Sequence, residues 1–442
     1  MKLSSTRNSA KSSSFREAVF QGLAPDGGLY QILTMPDLSE MLGRFTDKSS
    51  FLDIATAISC ALLHDEIAEN KIADYCKTAF PFSPVLSDPQ TRMPMLELYH
   101  GPSCAFKDFG ASFLATLMNA FLREENRKSV ILTATSGDTG SAVAQAFKEK
   151  EAIDIVILYP SKRVSPLQEM QLTTGGKNVH ALQVKGSFDD CQRMAKEAFL
   201  DQGLIKELPL TSANSINIGR LLPQAYYYVY GWSRLKNNYS LHRDHTSGIW
   251  FCVPSGNFGN LTAGVLAGRM GMQVAGFIAA TNMNSVVPEY LKTGIYSPRP
   301  SIQTYSNAMD VGNPSNFERL NTLFGNDWNA MAEYIKSDVI SDDETIMQMK
   351  IFWLQSKRFI DPHTAVGLCA SERFLEKYAN TVAVTLSTAH PAKFSEVVEK
   401  ATGVKPELPP QLVGVLKKKS ISTEINNTLL SLKTYLLDSL RT

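Results

Sequence analysis

From Lys107 to Ser387 the chain repeats one local pattern. A short β-branched run is followed by a small polar loop and then by a stretch with helical spacing of apolar residues. The runs are "SVILTAT", "DIVILYP", "NVHALQV", "GIWFCVP", "QVAGFIAATN" and "TVAVTLS". The helical stretches include "SAVAQAFKEK", "SPLQEMQLTTGG", "DDCQRMAKEAFLDQG" and "LTAGVLAGRMG". Strand followed by helix, repeated, predicts an α/β fold with parallel sheets covered by helices. The stretch is long for one sheet, which predicts two α/β lobes. Ligands of open α/β sheets sit beyond the carboxyl ends of strands, so the loops that follow strands carry the functional argument.

The flanks read differently. "FLDIATAISCALLHDEIAENKIADYCKTAF" spaces Phe51, Ile54, Ile58 and Leu62 at helical intervals. "PFSPVLSDPQTRMP" has four prolines and no period, and reads as a linker or wrapping segment. The expected division is therefore a mainly helical region over 1–90, the α/β lobes over 91–400 and a tail over 401–442. In that tail, "TEINNTLLSLKTYLLDSLRT" reads as an amphipathic helix docked on the body. The N-terminus is basic and Ser-rich with no acid before Glu17. It reads as a structured or frayed terminus, with a short transit leader as the alternative.

Composition excludes little but is consistent. A net charge of +1 gives no electrostatic reason to expect nucleic acid or an anionic membrane. Six scattered cysteines without CxxC or zinc-type Cys/His spacing suggest reduced thiols in the cytoplasm and no metal. No apolar run approaches the roughly 20 residues of a membrane span.

Three loops after strands are rich in small and polar residues. "SGNFGN", Ser255 to Asn260, opens a helix. Its glycines allow close approach of backbone N–H groups to an anion, in the manner of a phosphate cradle. The pattern is neither a Walker A loop nor GxGxxG, and by itself it reads equally as a tight turn. "SGDTG", Ser136 to Gly140, suits a second anion such as a carboxylate, or a helix cap by Asp138 or Thr139. "LSTAHPAKF" places Ser387 and Thr388 just past a strand, where a hydroxyl can cap a turn or meet a ring nitrogen.

A fourth stretch, "GPSCAFKDFGASF", sets Lys107 between Phe106 and Phe109. A surface lysine paired with Asp108 is one reading. The other is a lysine whose charge burial suppresses, so that its amine can react with an aldehyde. Pyridoxal phosphate offers an aldehyde, a phosphate and a pyridine nitrogen. A lysine, a glycine cradle and a strand-end hydroxyl are the complements it requires.

The chain resembles the threonine synthase family, within the tryptophan-synthase-β-like (fold type II) pyridoxal-phosphate enzymes. The resemblance is carried by "FREAVFQGLAPDGGLY", "HGPSCAFKDFGASF", "ILTATSGDTGSAVAQAF", "SPLQEMQLTT", "SFDDCQ", "NSINIGRLLPQ", "VPSGNFGNLTAG", "IAATNMNSVVPEY", "SNAMDVGNPSNFER" and "LSTAHPAKF", in order from about Ser5 to Phe394. It implies that Lys107 is the Schiff-base lysine and later a proton shuttle. It implies that Gly256, Asn257, Phe258, Gly259 and Asn260 cradle the cofactor phosphate and that Thr388 meets the pyridine nitrogen. Asp138 is placed near the ring hydroxyl. Ser136, Gly137 and Thr139 belong to the loop that takes the substrate α-carboxylate.

"NSINIGR" brings a hydroxyl, an amide and a guanidinium together at Ser215, Asn217 and Arg220. Read alone, it is equally an asparagine-rich turn. Under the resemblance, these three bind the phosphate of O-phospho-L-homoserine, since arginine's planar fork suits a phosphate, with Lys162 or Arg163 as candidates to assist. The implied reaction yields L-threonine and phosphate, in a monomer or homodimer. A phospho-lyase releasing 2-oxobutyrate, phosphate and ammonia is the alternative that shares the same loops. A serine/threonine dehydratase would have no need of the "NSINIGR" site. A cofactor-binding protein without activity would have no need of Lys107, both anion loops and Arg220 together. Cys104 stands where an aliphatic residue is more usual, and it fills the place as a small apolar side chain.

Overall fold

Two largely parallel sheets carry the body of the protein, and six of their strands are the six runs read from the sequence. The structure, a computed structural model, describes residues 1–135, 137–161, 164–239 and 247–440. The larger sheet orders its strands Ile335–Val339, Gly276–Thr281, Gly248–Pro254, Thr381–Ser387, Met95–Glu97 and Val85–Ser87, and only the last pair is antiparallel. The second sheet is parallel throughout, in the order Thr423–Asn426, Val179–Lys185, Ile153–Pro160, Ser129–Ala134 and Leu210–Thr211. The expected two lobes are these two sheets with their helices. Every residue of Gly248–Pro254, Gly276–Thr281 and Thr381–Ser387 is buried, as strands covered on both faces must be.

The first 90 residues hold the helices Phe15–Gln21, Ser39–Gly43, Phe51–Leu63 and Glu69–Ala79. Reciprocal caps start two of them, Ser14 with Glu17 and Ser50 with Asp53. The helix Phe51–Leu63 buries the four residues predicted to form its inner face. A small antiparallel sheet was not legible: Leu3–Ser5 lies between Ser12–Ser13 and Tyr30–Ile32. Its strands are two or three residues long, too short for a period to register.

This region is part of the same core as the helix Lys107–Glu124. Phe109 answers for the contact: its ring lies 5.2 Å from that of Phe51, 5.0 Å from Phe82 and 5.3 Å from Tyr227, each edge to face. Truncating such a ring to alanine costs about 3–5 kcal/mol. The apolar setting of Phe109 thus anchors the helix on which Lys107 sits.

The tail differs from its reading as one helix. Thr423–Asn426 adds a parallel edge strand to Val179–Lys185, and the helix begins only at Leu429. Four residues with β-branched Thr423 and Ile425 suit an open sheet edge better than a helix start. The helix Leu429–Leu440 then docks as expected, burying Leu432, Leu436 and Leu440 at four-residue intervals. Among the described residues no helix is long and apolar enough to cross a membrane, and no His/Cys/Asp/Glu group is arranged to hold a metal.

Candidate active site

Lys107 is the first residue of its helix, and its place is set by the loop before it. Phe106 donates its N–H to the Thr388 carbonyl at 2.8 Å, and His390 donates to Cys104 at 3.0 Å. Ala105 and Ala389 form an antiparallel bridge between these contacts. Lys107 and Thr388 are thereby locked side by side across the end of the strand Thr381–Ser387. Lys107 Nζ lies 5.5 Å from the centre of the Phe106 ring, and the residue is half-buried.

Asp108 faces away from solvent entirely and holds the loop. Its Oδ2 accepts the Ser103 N–H at 2.9 Å. A Cβ on Gly101 would fall 2.4 Å from that oxygen, so the turn requires glycine. Burial pushes the Asp108 carboxyl up to about 6, against the pull of the Ser103 N–H and the Lys393 charge.

The sign of the consequence follows from linkage. The folded state holds this proton more tightly than the unfolded chain, where the pKa is about 4. Stability from protonated Asp108 is full below that value and is lost as pH rises through about 6. Asp108→Asn should remove a pH-dependent loss of up to about 3 kcal/mol. Thermal melts at pH 4 and 6.5 check this: wild type should lose more stability over that span than the variant, and superimposable profiles would contradict it.

The loop after Gly248–Pro254 has the features of an anion cradle. Phe258 takes a left-handed conformation with φ +60°, and the helix Gly259–Arg269 starts with no side-chain cap. Its first-turn N–H groups therefore lack intrahelical acceptors and face outward from the helix end. A Cβ on Gly256 would meet the backbone of Met309 at 2.8 Å. Asn260 is buried; its side-chain oxygen accepts the hydroxyls of Tyr227 at 2.5 Å and Tyr228 at 2.8 Å, and its Nδ2 has no partner among the described residues. Burial raises both tyrosine pKa values well above the ordinary, so they remain neutral donors.

Thr388 is buried, and its hydroxyl makes no hydrogen bond to a described residue. Ser387, by contrast, bonds the Thr364 hydroxyl at 2.8 Å, which in turn donates to Asp361. That leaves Thr388, not Ser387, as the hydroxyl available at this strand end.

In the loop after Ser129–Ala134, Gly137 has φ +144° and caps the helix Asp138–Phe147 without a side-chain bond. Thr135, which sequence reasoning passed over, accepts the N–H groups of Gly137 at 3.0 Å and Gly140 at 2.9 Å. Thr139 is half-buried in the first turn. Ser136, the Asp138 side chain, Lys162 and Arg163 lie outside the described residues.

The "NSINIGR" loop divides. Asn217 donates its amide to the carbonyls of Val19 at 2.8 Å and Ser212 at 3.2 Å, and accepts from Gly219 at 2.9 Å. Those bonds engage it in holding the turn and starting the short helix Ile218–Leu221. Ser215 is half-buried. Arg220 is 2 % exposed, donates Nη1 to the Ala213 carbonyl at 2.7 Å and leaves Nε buried without a partner among the described residues. Burial lowers its pKa to about 10, opposed by the Asp108 charge. A Cβ on Gly110 would sit 2.5 Å from the Arg220 carbonyl oxygen, so the helix that begins at Lys107 packs backbone to backbone on this loop. Lys107 and Gly110 share a helix face.

Among the described residues seven buried side-chain polar atoms lack a partner. Five of them belong to Ser103, Asp108, Gln171, Arg220 and Asn260, all in or beside these loops. Buried polar atoms are otherwise paired, so this clustering fits a site built to take a polar ligand. A hollow of about 570 Å³ lined by lysines, among them Lys148, Lys177 and Lys418, lies instead at the opposite end of the helix Asp138–Phe147.

A family model described as "Pyridoxal-phosphate dependent enzyme" matches residues 95–388, which contain Lys107, the loops at 136–140, 214–220 and 255–260, and Thr388. The protein is a pyridoxal-phosphate-dependent enzyme of fold type II, a class whose cofactor the uncapped helix at Gly259 and the orphaned Asn260 amide fit. Models described as "Threonine synthase N terminus" and "Threonine synthase, C-terminal" match residues 2–80 and 364–436. The threonine synthase of Haemophilus influenzae is 38% identical over 99% of this chain and 100% of that protein. A crystal structure of the pyridoxal-phosphate-bound threonine synthase from Brucella melitensis superposes with a TM-score of 0.91 at 33% identity, covering 100% of both chains. The Escherichia coli threonine synthase structure gives 0.87 at 36% identity, over 99% of this chain and 100% of that one. The chain belongs to the threonine synthase family.

Proposed function

We propose that this enzyme converts O-phospho-L-homoserine and water into L-threonine and phosphate. The observation that carries the substrate is Arg220: a buried guanidinium with one hydrogen bond among the described residues, fixed by backbone contact to the helix of Lys107. A lyase acting on an unphosphorylated hydroxy amino acid has no use for it.

Lys107, Gly256, Asn257, Phe258, Gly259, Asn260 and Thr388 would hold pyridoxal phosphate, with Asp138 as a further candidate. When bound, the cofactor supplies an electron sink that lowers the cost of proton removal from the substrate's α- and β-carbons. Lys107 moves those protons, being the amine at the strand end that Thr388 marks. Thr388 would meet the ring nitrogen as a neutral hydroxyl partner. The loop Ser136, Gly137 and Thr139 takes the α-carboxylate at a helix start. Arg220, with Ser215, grips the phosphate. Asn217 supports them by holding the turn. Holding that phosphate supplies binding energy away from the reacting carbons and stabilises charge on the leaving group as it departs from the γ-carbon. Water then adds at the β-carbon, and Lys107 returns a proton. The protein acts as a monomer or homodimer in the cytoplasm.

The test is a product assay. Holoenzyme is given O-phospho-L-homoserine and the products are identified by NMR. Threonine and phosphate in equal amounts are expected. Phosphate with 2-oxobutyrate would move the function to a phospho-lyase, and no phosphate at all would refute the substrate.

A further inference from the structure

Arg319 is a buried charged side chain whose hydrogen bonds all go to neutral oxygens, with the Glu318 charge acting on it only from a distance. It is fully buried in the helix Phe317–Leu323, and among the described residues no carboxylate pairs with it. Its Nε donates to the Tyr30 carbonyl at 2.9 Å, Nη1 to the Asn316 side-chain oxygen at 2.6 Å and Nη2 to the Ile216 carbonyl at 2.7 Å. Burial lowers its pKa to about 9. Burying a cation against neutral oxygens is expensive. What arginine offers in return is a rigid planar fork that fixes several acceptors at set angles, which lysine cannot do.

The three acceptors belong to three parts of the molecule. Tyr30 is in the small N-terminal sheet. Ile216 lies between Ser215 and Asn217, in the loop that leads to Arg220. Asn316 touches the cofactor cradle: its N–H donates to the Asn257 carbonyl at 3.2 Å, and a Cβ on Gly259 would lie 3.1 Å from its Nδ2. The neighbouring Ser315 donates its N–H and hydroxyl to the Asn257 side chain at 3.2 and 3.1 Å. Asn316 Nδ2 also reaches the Ser215 carbonyl at 3.5 Å. One guanidinium therefore joins the loop around the cradle to the loop that bears Arg220.

We propose that Arg319 is a positioning residue that sets the spacing between the two anion sites, the cradle at Gly256–Asn260 and the substrate-phosphate grip at Arg220. The inference rests on the reading of Arg220 given above. Spacing matters because the substrate must be held at both ends, its amine side by the cofactor and its phosphate by Arg220. A misplacement of about 1 Å is enough to lower rates roughly 100-fold. Lys107 and Thr388 are tied to each other by a separate set of bonds, at Ala105 and Phe106. Loosening Arg319 therefore acts on substrate capture and cofactor retention more than on proton transfer.

Two variants test this in the holoenzyme. Arg319→Lys keeps the charge and loses the fork. Asn316→Asp keeps an acceptor for Arg319 and loses the amide that reaches Ser215, while its backbone bond to Asn257 remains. The readouts are KM and kcat for O-phospho-L-homoserine, the rate of cofactor loss after dilution, and the melting temperature. Arg319→Lys is expected to raise KM about tenfold or more and to speed cofactor loss, with kcat within about threefold of wild type. Asn316→Asp is expected to raise KM while cofactor loss stays unchanged, and it decides the matter alone should Arg319→Lys fail to fold. A lower melting temperature with KM and cofactor loss unchanged would overturn the proposal and leave Arg319 a structural residue. If wild type releases no phosphate from O-phospho-L-homoserine, the functional reading fails. Cofactor loss from Arg319→Lys then decides this inference: faster loss upholds the hold on the cradle, and an unchanged rate overturns it.

Discussion

Lys107→Ala should abolish turnover and with it the visible absorption of a lysine-bound cofactor, while the protein stays folded. The loss should be at least about 100-fold, since proton transfer by a positioned side chain alone supplies roughly 10²–10⁴. The fold should survive because Lys107 occupies the first helical turn, is half-buried, and is replaced by the best helix former. The anchoring of this helix lies elsewhere, in Phe109 and the Gly110 contact. A second lysine makes the experiment discriminating. Lys393 is buried beside the same loop, with its Nζ donating to the Ser103 carbonyl at 2.9 Å. Lys393→Met should keep the visible band, because this amine holds the loop and not the cofactor. A band that survives in Lys107→Ala and disappears in Lys393→Met would reverse the assignment.

Much of this was legible because it is local. Runs such as "GIWFCVP" and "TVAVTLS" became strands over the same residues, Gly248–Pro254 and Thr381–Ser387. A buried parallel strand needs only its own apolar residues to announce it. The Ser255–Asn260 loop and Thr388 could be suspected for a related reason: they follow strands, and small residues mark backbone that must approach something, while Lys107 stood out by its aromatic neighbours Phe106 and Phe109. Partners distant in sequence left no such mark. Nothing local distinguishes Asn217, engaged with Val19 and Ser212, from an asparagine free to meet a ligand. Nothing in "NPSNFER" says that Arg319 is buried while its neighbour Glu318 pairs with Arg7 at a partly exposed site. Thr135 hides in the same way, since its role depends on how the next turn folds back. Both the pairing of "TEIN" with Val179–Lys185 and the sheet at Leu3–Ser5 rest on long-range partners that a local pattern does not carry.

The second large effect belongs to Arg220. Five N–H donors and one protein hydrogen bond leave it the capacity for a two-pronged grip on phosphate oxygens. Removing one partner of a buried, hydrogen-bonded charge pair costs about 2–5 kcal/mol, which is roughly 30- to 5,000-fold in kcat/KM. Arg220→Ala should therefore raise KM for O-phospho-L-homoserine steeply and leave cofactor absorbance as in wild type. Arg220→Met, which fills more of the space, should behave the same way if charge and not volume is at issue. Stability should change little by comparison, because the guanidinium is itself costly to bury: its pKa falls to about 10 on desolvation. Steady-state kinetics with added inorganic phosphate gives an independent reading. Phosphate should compete with substrate in wild type and lose most of that effect in both variants. An unchanged KM in Arg220→Ala, with phosphate still competing, would place the substrate phosphate elsewhere and remove the main reason for choosing this substrate over an unphosphorylated one.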